Sequence, residues 1–175
     1  MLEAARRTNA AIGNLDVFHT IGTALAKHND LQLVLSVGDR VDPQQIISAP
    51  KNAIIVQRTP QLELLKLDSV CITHAGLNTV LESLAQGVPQ VAVPITFDQP
   101  GVAARIAHRQ TGVVTSLDKL TPGHLSELLD EVLINSTYRA NAQKLHRKIV
   151  EANELSAAAD VVEETLGVRK KSNAL

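Results

Sequence analysis

Tryptophan is absent from the 175 residues, and the remaining aromatics are Phe18, Phe97 and Tyr138. Proteins that stack bases or sugar rings on aromatic faces use more of them, so any ring bound here is held chiefly by polar and aliphatic groups. An excess of charge of one sign is also missing. With 17 Lys and Arg against 18 Asp and Glu, the formal net charge is -1, which provides no basic field for a phosphate backbone. Nucleic acid is therefore not an expected partner. The single cysteine, Cys71, can close no internal disulfide, so a reducing compartment is the default; within the run DSVCITH it reads as a small core hydrophobe. No window approaches the roughly 18 uninterrupted apolar residues of a membrane span, and the N-terminus MLEAARRTNAAIG lacks the apolar stretch of a signal peptide. The chain reads as cytoplasmic, with at most a peripheral relation to a membrane, since Arg169, Lys170 and Lys171 are too few for firm anchoring.

Several catalytic signatures are missing too. There is no G-x-S-x-G elbow and no G-x-x-x-x-G-K-[ST] loop. His19, His28, His108, His124 and His146 show no metal-ligand spacing with cysteines or carboxylates, so they read as surface or helix-end residues, and neither a metal nor a cofactor is expected.

What the chain does have is 45% hydrophobic and 20% charged residues, enough for one well-buried domain over 1–175. Five apolar runs alternate with helical segments: LQLVLSVG (31–38), AIIVQ (53–57), SVCIT (69–73), PQVAVP (89–94) and GVVTSL (112–117). Their continuity predicts parallel strands covered on both faces, a doubly wound α/β domain. Helices are expected at 14–28, near 43–48, and at 61–66, 76–86 and 99–109. Thr121-Pro122 then opens a capped helix, and amphipathic segments 136–152 and 154–167 follow. These C-terminal helices, 121–167, are expected to close one side of the sheet, with GVRKKSNAL as a frayed end. On this reading the chain opens on a helix and lacks a first strand, which suggests a fragment whose strand at Leu31 forms an exposed edge.

Polar residues concentrate in THAGLNTVLESLAQGVPQVAVPITFDQP (73–100). In an open parallel sheet, ligands sit beyond the carboxyl ends of the strands, where helix N-termini direct free N-H groups outward. His74, Gly76, Asn78 and Thr79 occupy such a turn, suited to a diphosphate. Glu82, one turn further along the same helical face, is suited to accept from two ribose hydroxyls. Asp98 and Gln99 follow the next strand and suit a polyhydroxylated ligand. Each also has an ordinary reading. His74 alone is a structural hydrogen-bonder, Glu82 a solvated helix residue, and Asp98 an N-cap.

Taken in order, VQRTPQLELLKLDSVCITHAGLNTVLESLAQGVPQVAVPITFDQPGVAARI resembles the donor-binding signature of the family 1 UDP-glycosyltransferases: P-Q, then H-x-G-x-N-S/T-x-x-E, then G-V-P, P and D-Q. The ending DQPGVAARI, with LDVFHTIGTAL, QLVLSVGD and STYRANAQKL, is most similar to bacterial carotenoid glucosyltransferases. The resemblance implies the C-terminal half of a GT-B enzyme, with the acceptor domain and the base that deprotonates the acceptor lying in an N-terminal half outside this chain. It implies that His74, Gly76, Asn78 and Thr79 hold the donor diphosphate, that Glu82 holds the ribose and Gln61 the nucleoside region, and that Asp98 and Gln99 hold the transferred sugar. Arg58 stands where many members stack a tryptophan on uracil, and a guanidinium can stack through its plane.

The implied reaction is metal-independent inverting transfer of a hexose from UDP-glucose to a hydroxylated lipophilic acceptor such as a carotenoid. His74 assists the leaving diphosphate, and no catalytic base is expected in this chain. Two other readings stand beside it. One is a UDP-sugar 2-epimerase-type isomerase; the other is a non-catalytic nucleotide-sugar-binding fragment docked through its first-strand edge.

Overall fold

In the computed structural model, residues 2–7, 15–152 and 154–167 are described. Among them six strands form one sheet: β1 (Leu2–Arg7), β2 (Leu31–Ser36), β3 (Ile54–Val56), β4 (Val70–Thr73), β5 (Gln90–Ala92) and β6 (Gly112–Val114). Every pairing is parallel, and the spatial order is β3-β2-β1-β4-β5-β6. The helices are α1 (Leu15–Leu25), α2 (Gln61–Leu65), α3 (Leu77–Ala85), α4 (Gln99–His108), α5 (Pro122–Ile134), α6 (Ser136–Ala152) and α7 (Glu154–Thr165), and a 3-10 turn at Pro43–Gln45 stands where a short helix is expected. Asn14, at the expected start of the first helix, and the terminal segment 168–175 lie outside the described residues.

The doubly wound sheet agrees with the alternation of apolar runs. The expectation of a missing first strand is overturned. Leu2–Arg7 pairs with all six residues of β2 on one side and with Val70 to Ile72 of β4 on the other. The segment LEAARR has no β-branched or aromatic residue and is rich in helix formers, so its local preference gives no strand signal. Ladder bonds on both flanks override that preference. With β1 in the middle, Leu31 lies on an interior strand, and the sheet edges are β3 and β6.

Strand residues alternate between two cores, because successive side chains leave a strand on opposite faces. On one face Leu31, Leu33, Leu35, Ile72 and Val91 pack with Phe18, Ile21 and Leu25 of α1 and with Leu125, Leu129 and Val132 of α5. On the other, Ala92 joins Val80 and Leu84 of α3, Val102 and Ile106 of α4, and Ala142 of α6. Cys71 is buried with Leu65 and Val88. The C-terminal helices therefore do not close a single side: α5 covers the α1 face and α6 the α3 face. Thr121 caps α5 as its sequence suggests, its hydroxyl accepting from His124 N at 3.2 Å.

The strand order reverses between β1 and β4. The chain leaves β3 at one edge, passes through α2 and re-enters the sheet beyond β1. Such a switch point opens a crevice at the carboxyl ends of the strands, and the turn from β4 into α3 lies beside it.

Candidate functional site: the rim of the sheet at β4 and β5

β4 hands over to α3 through His74-Ala75-Gly76. Ala75 has φ of 63°, a left-handed conformation uncommon for a residue with a Cβ, and its amide donates to Thr73 Oγ1 at 3.2 Å. This tight turn folds the imidazole back over Gly76. A Cβ on Gly76 would stand 2.5 Å from His74 Nε2, while the backbone there, at φ -62°, suits any residue. The glycine is thus required for the room it leaves the histidine.

His74 is only 6% exposed, and its Nδ1 is buried without a hydrogen-bond partner among the described residues. Burial lowers its pKa from 6.5, partly opposed by the negative charge of Asp98, so the ring is neutral at pH 7. A proton on Nδ1 would leave a buried donor unsatisfied. The favoured tautomer therefore carries its proton on Nε2, the nitrogen lying over Gly76. A recess of about 250 Å³ is lined there by His74, Gly76, Leu77, Asn78 and Thr79. No side chain caps α3, and its helical bonding starts with Val80 N to Gly76 O at 3.1 Å. The amides of its first turn can serve an anion.

Thr79 joins this recess to a second group. Gln61, at the start of α2 and nearly buried, donates through Nε2 to Thr79 Oγ1 at 3.3 Å and also to Glu82 Oε2. Its Oε1 has no partner among the described residues. The half-buried Glu82 carboxylate is therefore pre-oriented, with acceptor capacity beyond the Gln61 bond. Gln90, fully buried in β5, donates to Val80 O at 3.2 Å and ties α3 to the sheet beneath.

At the end of β5, Asp98 and Gln99 are used differently. Asp98 occupies the N-cap position of α4 but forms no side-chain cap bond, and it is exposed. Among the described residues its carboxylate has no hydrogen-bond partner, and it acts on His74 through charge. Gln99 is buried, and its Oε1 accepts from Ile95 N at 2.9 Å and Thr96 N at 3.0 Å. With both lone pairs occupied, it can only donate to a ligand, through its amide nitrogen. A two-way amide is therefore not available. Arg58 lies on the β3 side of the rim, ion-paired with Asp39.

The family model for UDP-glucoronosyl and UDP-glucosyl transferase matches residues 18–151. The chain belongs to this family. It is 34% identical over 140 residues to the uncharacterized UDP-glucosyltransferase YdhE of Bacillus subtilis, covering 80% of this chain and 35% of that protein. To the zeaxanthin glucosyltransferase of Pantoea ananas it is 29% identical over 167 residues, 91% of this chain and 38% of the other. Among solved structures, the calicheamicin glycosyltransferase CalG4 superposes with a TM-score of 0.88 at 26% identity, over 95% of this chain and 43% of its own. Os79 of O. sativa in complex with UDP gives 0.71 at 25% identity, over 83% and 36%. The chain thus spans about 35–38% of the length of these curated relatives, and its fold is that of the C-terminal half of GT-B glycosyltransferases.

Among the described residues, four of the five histidines outside the rim have structural bonds, and His108 is exposed. His19 meets Ser48 at 2.6 Å, His124 meets Thr115 at 3.2 Å, and His146 Nδ1 bonds Ala85 O at 2.5 Å, at the end of α3. His28 Nε2 meets Ser126 Oγ at 2.8 Å, with Asp130 3.6 Å from Nδ1. The order resembles a hydrolytic triad, yet Asp130 is beyond hydrogen-bond reach and Ser126 sits within α5, away from the rim. This group joins the turn after α1 to α5.

Two rim residues escaped the sequence reading. Asp39 follows Gly38, whose φ is 75°; a Gly-Asp pair after a strand is visible in the sequence, but its partner is not. Phe97 has φ of 56° and is 88% exposed, an aromatic held in a strained turn immediately before Asp98.

Proposed function

We propose that this chain is the donor-binding half of an inverting hexosyltransferase using a UDP-sugar, UDP-glucose by preference. The observation that carries the reading is the buried, neutral His74 beside the uncapped start of α3, in continuity through Thr79 with the Gln61–Glu82 pair. The diphosphate lies in the recess against the α3 amides and His74 Nε2-H. The ribose hydroxyls donate to Glu82. The transferred hexose meets Asp98 as acceptor and the Gln99 amide as donor, and the base lies toward Arg58. Family membership and the UDP complex of Os79 support a nucleotide sugar as the partner.

In the transfer step the acceptor hydroxyl oxygen attacks the anomeric carbon, and the carbon-oxygen bond to the diphosphate breaks with its electron pair passing to phosphate oxygen. The acceptor proton goes to a base outside this site. Negative charge grows on the leaving diphosphate, where the helix N-H groups and His74 stabilise it. The acceptor is a hydroxylated lipophilic molecule, a carotenoid by similarity to the zeaxanthin glucosyltransferase. The setting is cytoplasmic; among the described residues no helix is long and apolar enough to cross a membrane.

The test combines the chain with the N-terminal half of zeaxanthin glucosyltransferase, UDP-glucose and zeaxanthin. Glucoside is expected only when both halves are present. Epimerisation of UDP-N-acetylglucosamine by the chain without any acceptor would overturn the transferase reading in favour of an isomerase.

A further inference from the structure

The nucleoside end of the rim carries an ion pair whose geometry is more informative than its energy. Beyond β2 and β3 the two strands run on side by side, with Val37 N donating to Val56 O at 3.0 Å and Gly38 N to Gln57 O at 2.9 Å. The left-handed turn at Gly38 then sets Asp39 opposite Arg58. Arg58 Nε donates to Asp39 Oδ1 at 2.9 Å and Nη2 donates to Oδ2, two parallel bonds that fix the plane of the guanidinium. Both side chains are exposed, 78% for Arg58 and 58% for Asp39, so the pair adds little to stability. The guanidinium edge formed by Nε and Nη2 is occupied, its faces are exposed with the side chain, and the pair carries no net charge.

We propose that Asp39 is a positioning residue that presents Arg58 to the nucleobase as a flat, charge-compensated platform. The inference rests on the reading of this rim as a UDP-sugar site. Gln61 begins α2 three residues after Arg58 and bonds the Glu82 carboxylate, so platform and ribose acceptor belong to one short crossing. An unpaired arginine on a flexible stem would be drawn toward the diphosphate and would bind it as a point charge, with no regard for the base. Held edge-on by Asp39, the same arginine offers its face. The chain then recognises the base through stacking on a guanidinium face in place of an aromatic ring.

The experiment measures dissociation constants of the full chain for UDP and for inorganic pyrophosphate by calorimetry, in wild type, Asp39→Asn, Arg58→Ala and the double variant. The ratio of the two constants isolates what the nucleoside contributes. Asp39→Asn is expected to reduce the preference for UDP over pyrophosphate by about tenfold, within the range of one base stack, and to steepen the salt dependence of pyrophosphate binding. Arg58→Ala is expected to reduce the preference equally, and the double variant no further. Asp39→Asn is isosteric and exposed, and an unchanged circular dichroism spectrum confirms that the fold is intact. A preference unchanged within twofold in Asp39→Asn, or fully additive effects in the double variant, overturns the proposal while leaving the donor site standing. Failure of the wild-type chain to bind UDP at all overturns the donor site, and this inference with it.

Discussion

Replacing Gly76 with alanine separates the binding role of this glycine from any role in folding. The added Cβ would stand 2.5 Å from His74 Nε2 and 3.0 Å from Cε1, well inside contact distance, so one of the two must move. The alanine itself is comfortable at φ -62° and ψ 133°, and the atom it meets is the far end of a side chain. The imidazole yields, then, and the backbone stays. The displaced ring loses the aim of its Nε2-H toward the recess, and a hydrogen bond to a charged group is worth about 1.5–3 kcal/mol. UDP binding should therefore weaken by roughly 10- to 150-fold. The cost to the fold should stay near 1 kcal/mol, a melting shift of about 2–4 °C for a domain of this size. Calorimetric titration with UDP and a thermal melt read the two quantities independently. A UDP dissociation constant within twofold of wild type would show that the packing of His74 over Gly76 has no part in donor binding.

Other substitutions report on other parts of the structure. Gly112→Ala places a Cβ 2.0 Å from the backbone oxygen of Gln90, where β5 pairs with β6, and neither strand can yield; a loss of about 3 kcal/mol or more should appear as a much lower urea midpoint. Glu82→Gln should weaken UDP binding about tenfold and leave inorganic pyrophosphate unaffected, since only the ribose is lost; equal effects on both ligands would contradict the ribose assignment. His74 has its pKa lowered from 6.5 by burial, so the unfolded chain binds the proton more readily than the native one. Its contribution to stability is accordingly full above 6.5 and declines as pH falls through 6.5 toward the lower native value. Urea unfolding at pH 7.5 and 5.5 should show this component in wild type and not in His74→Gln. Arg139 of α6 donates to the carbonyls of Ser69, Asp68 and Gly87; its loss leaves buried acceptors unmet, and Arg139→Ala should cost about 1–3 kcal/mol in the same assay with no change in nucleotide preference.

Much of this architecture was legible because its signals are local. The runs that became β2, β4 and β5 are apolar on both faces, as a strand covered by helices must be, and Thr121-Pro122 announces α5 through side-chain chemistry alone. The central strand was not legible. In LEAARR nothing favours extension, and only the ladders to β2 and β4 make it a strand. The same division applies to the rim. His74, Gly76, Thr79 and Glu82 lie close along the chain, so their spacing on one helix start exposes a common purpose. Asp39 and Arg58 are 19 residues apart and meet only because β2 and β3 are neighbours, which no spacing rule reveals. Gln99 looked free to accept and donate until its carbonyl was found holding the turn at Ile95 and Thr96. Asp98 looked like a cap, yet it leaves α4 uncapped and directs its charge at His74.

The rim at β4 and β5 is proposed to hold the nucleoside diphosphate of a sugar donor. Calorimetric titration of the full chain with UDP at pH 7, in wild type, His74→Ala and Glu82→Ala, tests it most directly. One site is expected in the wild type, with at least tenfold weaker binding in each variant. Absence of binding in the wild type, or equal affinity in all three proteins, would contradict it.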